Sequence, residues 1–194
     1  MSENKLKMDA SALREFMTSA FERELTWVID YVGMDGITVR QPVGSGDLRP
    51  GGTVSGPTLM ALADGVAYMA LLSQIGPAAL AVTSNLNINF LRRPRPTDLV
   101  SKGRLLKLGR SLALVEVSMY SALEPAAGDL GSGGADGPGD REGAGNGHGD
   151  REGAGAGAGD RASATDRDDF VIDDNAPLAH ATVTYSLALL GDTR

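Results

Sequence analysis

The chain of 194 residues contains no cysteine and only two histidines. Without cysteine it cannot form disulfide bonds, use a thiolate nucleophile or bind a metal through thiolates. With two histidines it offers little for a site built from several imidazole ligands. We therefore expect neither a bound metal ion nor another cofactor.

The chain also lacks the sequence features of exported and membrane proteins. Its first ten residues, MSENKLKMDA, have no apolar segment of the kind found in secretory signals. No uninterrupted apolar run reaches about twenty residues, the length that a membrane-spanning helix needs. We therefore expect a cytoplasmic protein with no membrane partner.

Glycine and acidic residues, by contrast, are concentrated in one part of the chain. Residues 128–174 hold 14 of the 26 glycines and 12 of the 25 acidic residues, and a ten-residue repeat there opens with Gly-Asp-Arg. A segment with so few large apolar side chains cannot bury enough surface to offset the entropy lost on ordering. We predict that 128–174 is a disordered insertion. It lacks the flanking strand and helix of a phosphate-binding loop.

Outside this insertion the chain has 13 acidic and 14 basic residues. This balance gives no sign of a nucleic-acid-binding surface. We divide the rest of the chain into an N-terminal helix within residues 1–24 and one domain formed by residues 25–127 and 175–194.

The most informative segment is a long apolar stretch that begins at Ser55. Ser55 or Gly56 suits the N-cap of a helix, Pro57 suits its first turn, and Gly76 suits its end. A helix that is apolar on all sides is expected to be buried on all sides. Its one charged residue is Asp64.

The segments around this helix show other periodicities. We predict a helix in residues 9–23, an extended segment in 26–42, a loop in 44–54, and strands in 81–91, 99–106, 111–121 and 178–190. In strand 81–91, alternation places Val82 and Leu86 on the apolar face and Thr83 on the polar face. The order of elements predicts an α+β fold with an antiparallel sheet wrapped around the long helix.

Three stretches resemble the PaaI-like acyl-CoA thioesterases, which have the hot-dog fold. RPGGTVSGP at 49–57 is similar to that family's Asn-x-x-Gly-x-Leu-His-Gly-Gly, with Arg49, Ser55 and Pro57 in place of Asn, His and the second Gly. TLMALAD at 58–64 is similar to its helix ending in the catalytic aspartate. NINFLRRP at 87–94 is similar to its strand ending in Arg-Pro. The resemblance covers roughly residues 25–123 and the last strand, and it implies a thioester hydrolase.

The resemblance assigns four catalytic positions in this sequence. Asp64 is the general base or nucleophile, the Gly56 N–H polarises the carbonyl, Thr83 orients water, and Arg49 takes the place of the polarising Asn. The residues themselves suit these roles, because a lone carboxylate is costly to bury and the first N–H groups of a helix lack helical partners. The candidate substrate-binding residues are Ser55, Pro57, Tyr68, Asn85, Arg92 and Arg93, with the two arginines suited to coenzyme A phosphates. We expect Met60, Tyr68, Met69 and Phe90 to line the acyl pocket.

Spacing adds a prediction about assembly. Gly56 and Asp64 are eight residues apart, which corresponds to about 12 Å along a helix that rises about 1.5 Å per residue. They cannot both contact one carbonyl. If both are catalytic, they come from different subunits of a homodimer or homotetramer, which agrees with the family.

Other interpretations of these residues remain open at this stage. Asp64 is also compatible with a structural role, and the arginines with a solvated strand end. We interpret Ser55 as a helix cap rather than a nucleophile, and His180 as structural. Because the Asn and His of the family motif are replaced, the alternative function is non-catalytic binding of acyl-CoA or an aromatic ligand. A hydratase acting on enoyl-CoA is less favoured because neither histidine is suitably placed.

Overall fold

The structure is a computed structural model that describes residues 6–123 and 172–187. Its two helices are α1 (Ala10–Ala20) and α2 (Gly56–Ile75). The strands are β1 (Val28–Gly33), β2 (Gly36–Gln41), β3 (Leu48–Arg49), β4 (Thr53–Val54), β5 (Val82–Phe90), β6 (Leu99–Leu108), β7 (Leu112–Ser121) and β8 (Ala179–Ser186). Residues 44–54, predicted as a loop, contain the short β3–β4 hairpin and a 3-10 turn at Ser45–Asp47.

Six of the strands form one antiparallel sheet in the order β1-β2-β6-β7-β8-β5. Strands β6, β7 and β8 lie in the middle, and β1 and β5 are the edges. The inward side chains of the central strands form the core with α2; they include Val115, Val117, Ala181 and Val183, all fully buried. The predicted α+β class, with an antiparallel sheet around a long helix, is confirmed.

Helix α2 begins where the sequence predicts. The Ser55 side chain accepts a hydrogen bond from the Thr58 N–H at 3.3 Å, and the helix ends at Gly76, whose φ of 90° suits glycine. We expected α2 to be buried on all sides, and this was wrong for the first half of the helix. Pro57, Met60 and Ala61 are exposed, whereas every residue from 66 to 73 is buried. The sheet covers only one side of the first turns, which leaves an open strip on the helix.

Although no uninterrupted apolar run reaches about twenty residues, α2 as a whole is long and apolar enough to pass a simple test for a membrane span. Among the described residues, Gly56–Ile75 meets that test by length and mean hydropathy. In this fold 61% of the apolar window is buried against the rest of the domain. Such burial is what a helix in the core of a domain requires, and it accounts for the composition of α2.

A β-bulge changes the predicted faces of β5. The register of β5 against β8 shifts between Thr83 and Asn85, so that Thr83 lies opposite Tyr185. Thr83 is therefore on the inner face, and Val82 is 52% exposed. The prediction that Thr83 shares the polar face with Asn85 was wrong, because strict alternation cannot account for an inserted residue.

Helix α1 packs against the core through Leu13 and Met17, which are buried. It ends at Ala20, three residues earlier than predicted, and Glu22 adopts a left-handed conformation with φ of 50°. The chain then runs to β1 through a segment held by Arg14, which donates hydrogen bonds of 2.9 Å to the carbonyls of Leu25 and Trp27. This segment forms one wall of the site described below.

Most of the insertion predicted in residues 128–174 lies outside the described residues, as do the last three residues of the predicted strand 178–190. The described part begins again at residue 172. Asp174 forms an ion pair of 2.7 Å with Lys102, and Asp173 accepts a hydrogen bond from the Asn175 N–H at 3.0 Å. Residues 173 and 174, assigned to the insertion from the sequence, thus have defined contacts with or beside the sheet.

Candidate active site

A cavity of about 500 Å³ opens beside the middle of α2, and Asp64 lies in its wall. The 21–27 segment, α2, the start of β5 and the end of β8 all contribute residues to it. Most of the lining is apolar or aromatic, including Phe21, Trp27 and Tyr68. The half-buried carboxylate of Asp64 is the one acidic group in this lining.

Two hydroxyl groups hold the Asp64 side chain. Thr83 donates a hydrogen bond from Oγ1 to Oδ1 of Asp64 at 2.8 Å. The Tyr185 hydroxyl lies 3.0 Å from the same oxygen and 2.8 Å from the main-chain carbonyl oxygen of Asp64. The structure therefore brings together two of the predicted catalytic residues, Asp64 and Thr83, and adds Tyr185.

Tyr185 was not among the residues predicted for the site. Its side chain is 1% exposed, and burial together with the negative charge of Asp64 raises its pKa far above the usual range. It therefore stays protonated and acts as a donor at ordinary pH. A signal was present in the sequence, because Tyr185 alternates with small and aliphatic residues on the inner face of β8, where a buried hydroxyl needs a partner.

The residues expected to line an acyl pocket divide into two groups. Tyr68 lines the cavity, stacks on Tyr185 with ring centroids 5.9 Å apart, and donates a hydrogen bond to the Ala78 carbonyl at 3.0 Å. Burial raises the pKa of Tyr68. Met69 is fully buried in the core, and Met60 is exposed outside the cavity lining. The expectation for these two methionines was wrong because Met69 points into the core side of α2 and Met60 onto its open strip.

The Trp27 ring packs on α2 next to Asp64 because Gly65 has no side chain. A Cβ atom added to Gly65 would lie 2.4 Å from the indole ring of Trp27. Glycine at this position lets the ring pack directly on the helix backbone, next to Asp64 in sequence. Both residues line the cavity, so this contact forms part of its wall.

Gly56 lies at the N-terminal end of α2, whereas Asp64 lies near the middle of the helix. It is the first residue of α2, so its N–H has no partner within the helix. The Phe90 ring at the end of β5 lies 3.7 Å from the position of a Cβ on Gly56. Gly56 does not line the cavity that holds Asp64. Within one chain, Asp64 and Gly56 therefore do not line the same cavity.

The predicted arginines do not gather at Asp64 either. Arg49 is exposed on β3, where its Nε donates to Thr53 Oγ1 at 2.8 Å. Arg93 donates to the Gly51 carbonyl at 3.0 Å, which places it at the same β3–β4 turn. Arg92 turns away and donates to the Pro177 carbonyl at 3.2 Å. The arginine pair near the start of α2 is thus Arg49 and Arg93, not Arg92 and Arg93.

The remaining predicted residues have clear positions. Ser55 caps α2, and its Oγ lies 2.9 Å from Thr58 Oγ1. Pro57 lines a second cavity of about 570 Å³ between the first turns of α2 and the segment 23–27. Asn85 is exposed on the edge strand β5. In residues 6–123 and 172–187, no group of three acidic or histidine side chains is arranged to hold a metal ion.

His180 lies away from the site, on the outer face of the sheet. Its Nε2 is 2.9 Å from Oε1 of Glu116, whose other oxygen binds Arg104 at 2.8 Å. Hydrogen bonds from Arg104 and His180 lower the pKa of Glu116. This cross-strand cluster accounts for His180 as a structural residue.

Comparisons with known proteins agree with this geometry. Residues 51–123 match the family model of the thioesterase superfamily. A provisionally named esterase of Thermoplasma acidophilum is 22% identical over 103 residues, which are 53% of this chain and 77% of that protein. The family-model match covers α2 with Asp64 and the strands β5 to β7.

Solved structures extend the likeness over nearly the whole chain. A provisionally named thioesterase of Silicibacter sp. TM1040 has a TM-score of 0.62 and 29% identity over 95% of each chain. A thioesterase-like protein of Ralstonia eutropha JMP134, named as related to phenylacetic acid degradation, has a TM-score of 0.54 and 18% identity, covering 89% of this chain and 98% of that one. The second likeness concerns the fold alone. The resemblance found in the sequence is confirmed: the chain is similar to the thioesterase superfamily in its family-model match, and its fold is the hot-dog fold of the solved thioesterase-like structures.

Proposed function

We propose that this protein hydrolyses acyl-CoA thioesters, with Asp64 as the general base for water or as the attacking nucleophile. The observation that carries this proposal is the position of the Asp64 carboxylate in the wall of a largely apolar cavity. An acyl group fits such a lining, and a carboxylate within reach of its carbonyl supplies either water activation or direct attack. Thr83 is the hydroxyl next to Asp64 that orients the carboxylate or the water.

The second requirement is a donor for the oxyanion that forms on the thioester carbonyl. We assign it to the N–H of Gly56 at the positive end of α2. Because Gly56 does not line the Asp64 cavity of its own chain, the donor belongs to a second subunit. The open strip on α2 and the exposed apolar residues Met60, Val82 and Phe90 support a homodimer, or a homotetramer built from it.

Coenzyme A brings several phosphates, for which arginine is well suited. Arg49 and Arg93 meet at the β3–β4 turn, just before Gly56. We propose that these two cations bind the phosphates of the substrate whose carbonyl is held by Gly56. Ser55 and Pro57 lie at the same end of α2. Asn85 lies on β5, and Arg92 comes two residues after the end of that strand.

A binding protein without catalysis is the second candidate. It is favoured by Ser55, which stands where the related family has histidine and whose hydroxyl is engaged in capping the helix. It is also favoured by Arg49, which contacts Thr53 rather than any group at Asp64. Both candidates require the cavity, and they differ in whether Asp64 reacts.

The test is hydrolysis of acetyl-, hexanoyl-, palmitoyl-, phenylacetyl- and benzoyl-CoA, followed by release of the free thiol. We expect Asp64→Asn to lower kcat by at least about 100-fold, the lower end of what a general base contributes. Asp98→Asn is the matched control, because Asp98 is also half-buried but caps the Val43 N–H outside the cavity. Binding of a non-hydrolysable thioether analogue of the best substrate is measured on the same variants.

The outcomes separate the two candidates. Loss of turnover in Asp64→Asn, with analogue binding retained, supports the hydrolase. Analogue binding without turnover in the wild-type protein supports the binding protein instead. Full turnover in Asp64→Asn would exclude the proposed role of this carboxylate.

A further inference from the structure

Tyr185 is a buried tyrosine on an interior strand of the sheet, and it belongs to none of the sequence motifs described above. It lies on β8, which is hydrogen-bonded to β7 on one side and β5 on the other. Its neighbours across these strands are Ala113 and Thr83. The ring is 1% exposed and stacks on Tyr68. A side chain held on every side in this way has a fixed position relative to α2.

The Tyr185 hydroxyl contacts two oxygen atoms of Asp64, with the Thr83 hydroxyl beside it. It lies 3.0 Å from Oδ1 and 2.8 Å from the main-chain carbonyl oxygen. In a regular helix that carbonyl oxygen also accepts a hydrogen bond from the N–H four residues later in the chain. Tyr185 therefore binds the second lone pair of the carbonyl oxygen. One hydroxyl thus contacts both the side chain and the backbone of the proposed catalytic residue.

The second donor acts on the same carboxylate oxygen. Thr83 donates to Oδ1 at 2.8 Å, from the bulged start of β5. Within the described residues, neither of these donors nor any other hydrogen bond reaches Oδ2. Thr83 donates to Oδ1, and the single Tyr185 proton is shared between Oδ1 and the main-chain carbonyl oxygen. These contacts fix the plane of the carboxylate and leave Oδ2 to take a proton from water or to attack a thioester carbonyl.

We infer that Tyr185 is a positioning residue, which together with Thr83 holds Oδ1 of Asp64 so that Oδ2 performs the reaction. This inference rests on the proposed function, because it gives Tyr185 a role through Asp64 rather than on the substrate. The raised pKa of Tyr185 agrees with it, since a neutral hydroxyl can only donate to a carboxylate. Displacement of a reacting group by about 1 Å can cost about 100-fold in rate.

The first measurement tests the contact without any need for turnover. It is a double-mutant cycle in thermal stability with Tyr185→Phe, Asp64→Ala and the combined variant. If the hydroxyl and the carboxylate interact, the loss in Tm of the combined variant is smaller than the sum of the two single losses. Additive losses would overturn the inference, because they would show that the two groups act independently.

The second measurement separates positioning from a structural effect. We expect Tyr185→Phe to lower kcat by about 10- to 100-fold, the range that loss of one hydrogen bond to a charged group can produce. KM should change by no more than about threefold, since the hydroxyl contacts Asp64 and not the substrate. Thr83→Val, which removes the other donor to Oδ1, should show the same pattern and serves if Tyr185→Phe does not fold.

Tyr120→Phe is the matched control for loss of a tyrosine hydroxyl from the sheet. Tyr120 lies on β7, is 8% exposed and does not line the Asp64 cavity. An unchanged kcat in folded Tyr185→Phe and Thr83→Val would overturn the inference, as would an equal loss in Tyr120→Phe. Absence of turnover in the wild-type protein would overturn the proposed function and the hydrolytic role of Tyr185 together, and the stability cycle would still report on the contact.

Discussion

At the scale of single residues, the N-terminal end of α2 shows how one side chain fixes the start of a helix. Ser55 has extended backbone angles, and its Oγ accepts the Thr58 N–H. Thr58 in turn donates its hydroxyl to the Asp47 carbonyl at 3.2 Å. Ser55 and Thr58 therefore connect the start of the helix to the preceding loop.

Replacement of this cap should destabilise the protein. We expect Ser55→Ala to lower the free energy of unfolding by about 1 kcal/mol, the usual cost of losing an N-cap side chain. Denaturation in urea measures this change. Ser55→Asp is the matched control, because aspartate also caps helices and should keep most of the stability. Equal stability of the wild type and Ser55→Ala would show that the cap has no energetic role.

The residues that sequence could predict are those fixed by local rules. Ser55 and Gly56 follow from capping, and Asp64 from its isolation in an apolar helix. The position of Tyr185 beside Asp64 depends on pairing between β5 and β8, which are about a hundred positions apart in the chain. The inward position of Thr83 depends on a bulge that alternation does not reveal. Contacts made by tertiary pairing were therefore missed, even where the residue itself was named.

At the scale of elements, the packing of the 21–27 segment on α2 defines the cavity. Arg14 of α1 holds this segment through two carbonyls, and Trp27 packs on Gly65. Trp27 is the only tryptophan in the chain. Its fluorescence therefore reports directly on this wall of the site.

Addition of a methyl group at position 65 should displace the indole ring. Alanine normally stabilises a helix by about 1 kcal/mol relative to glycine. Here the new Cβ would lie 2.4 Å from the ring, so we expect Gly65→Ala to lower Tm and shift the tryptophan emission towards that of a more exposed ring. Emission spectra and thermal denaturation measure the two effects.

A second background shows whether the ring is the cause. In Trp27→Leu the ring is absent, so adding Gly65→Ala should leave Tm unchanged or raise it. A higher Tm with unchanged emission in the single Gly65→Ala variant would contradict the packing described for Trp27.

The elements themselves were largely predictable. The long helix was predicted to within one residue at its start because cap, proline and glycine signals agree. Strands β6 and β7 were predicted at 99–106 and 111–121, within two residues of their observed ends. The open strip on α2 was not predicted, because it depends on how much of the helix the sheet covers. The short β3–β4 hairpin was not predicted either.

At the scale of the whole molecule, the proposed catalytic groups lie apart within the single chain. Asp64 lines one cavity, and Gly56, Arg49 and Arg93 lie at the other end of the open strip on α2. The edge strand β5 carries Val82 and Phe90, each 52% exposed. A second copy that covers this strip would bring its Gly56 to the Asp64 of the first copy, and a two-fold axis would create two equal sites.

The most direct test of this account is complementation between two inactive variants. Asp64→Asn removes the carboxylate, and Gly56→Pro removes the N–H at a first helical position where proline is tolerated. The two chains are co-expressed with different tags, and the mixed oligomer is purified through both. If each site takes Asp64 from one subunit and Gly56 from the other, one site of every mixed dimer is intact, and turnover should return to about half the wild-type rate. Mixed dimers as inactive as either parent would contradict a site shared between subunits.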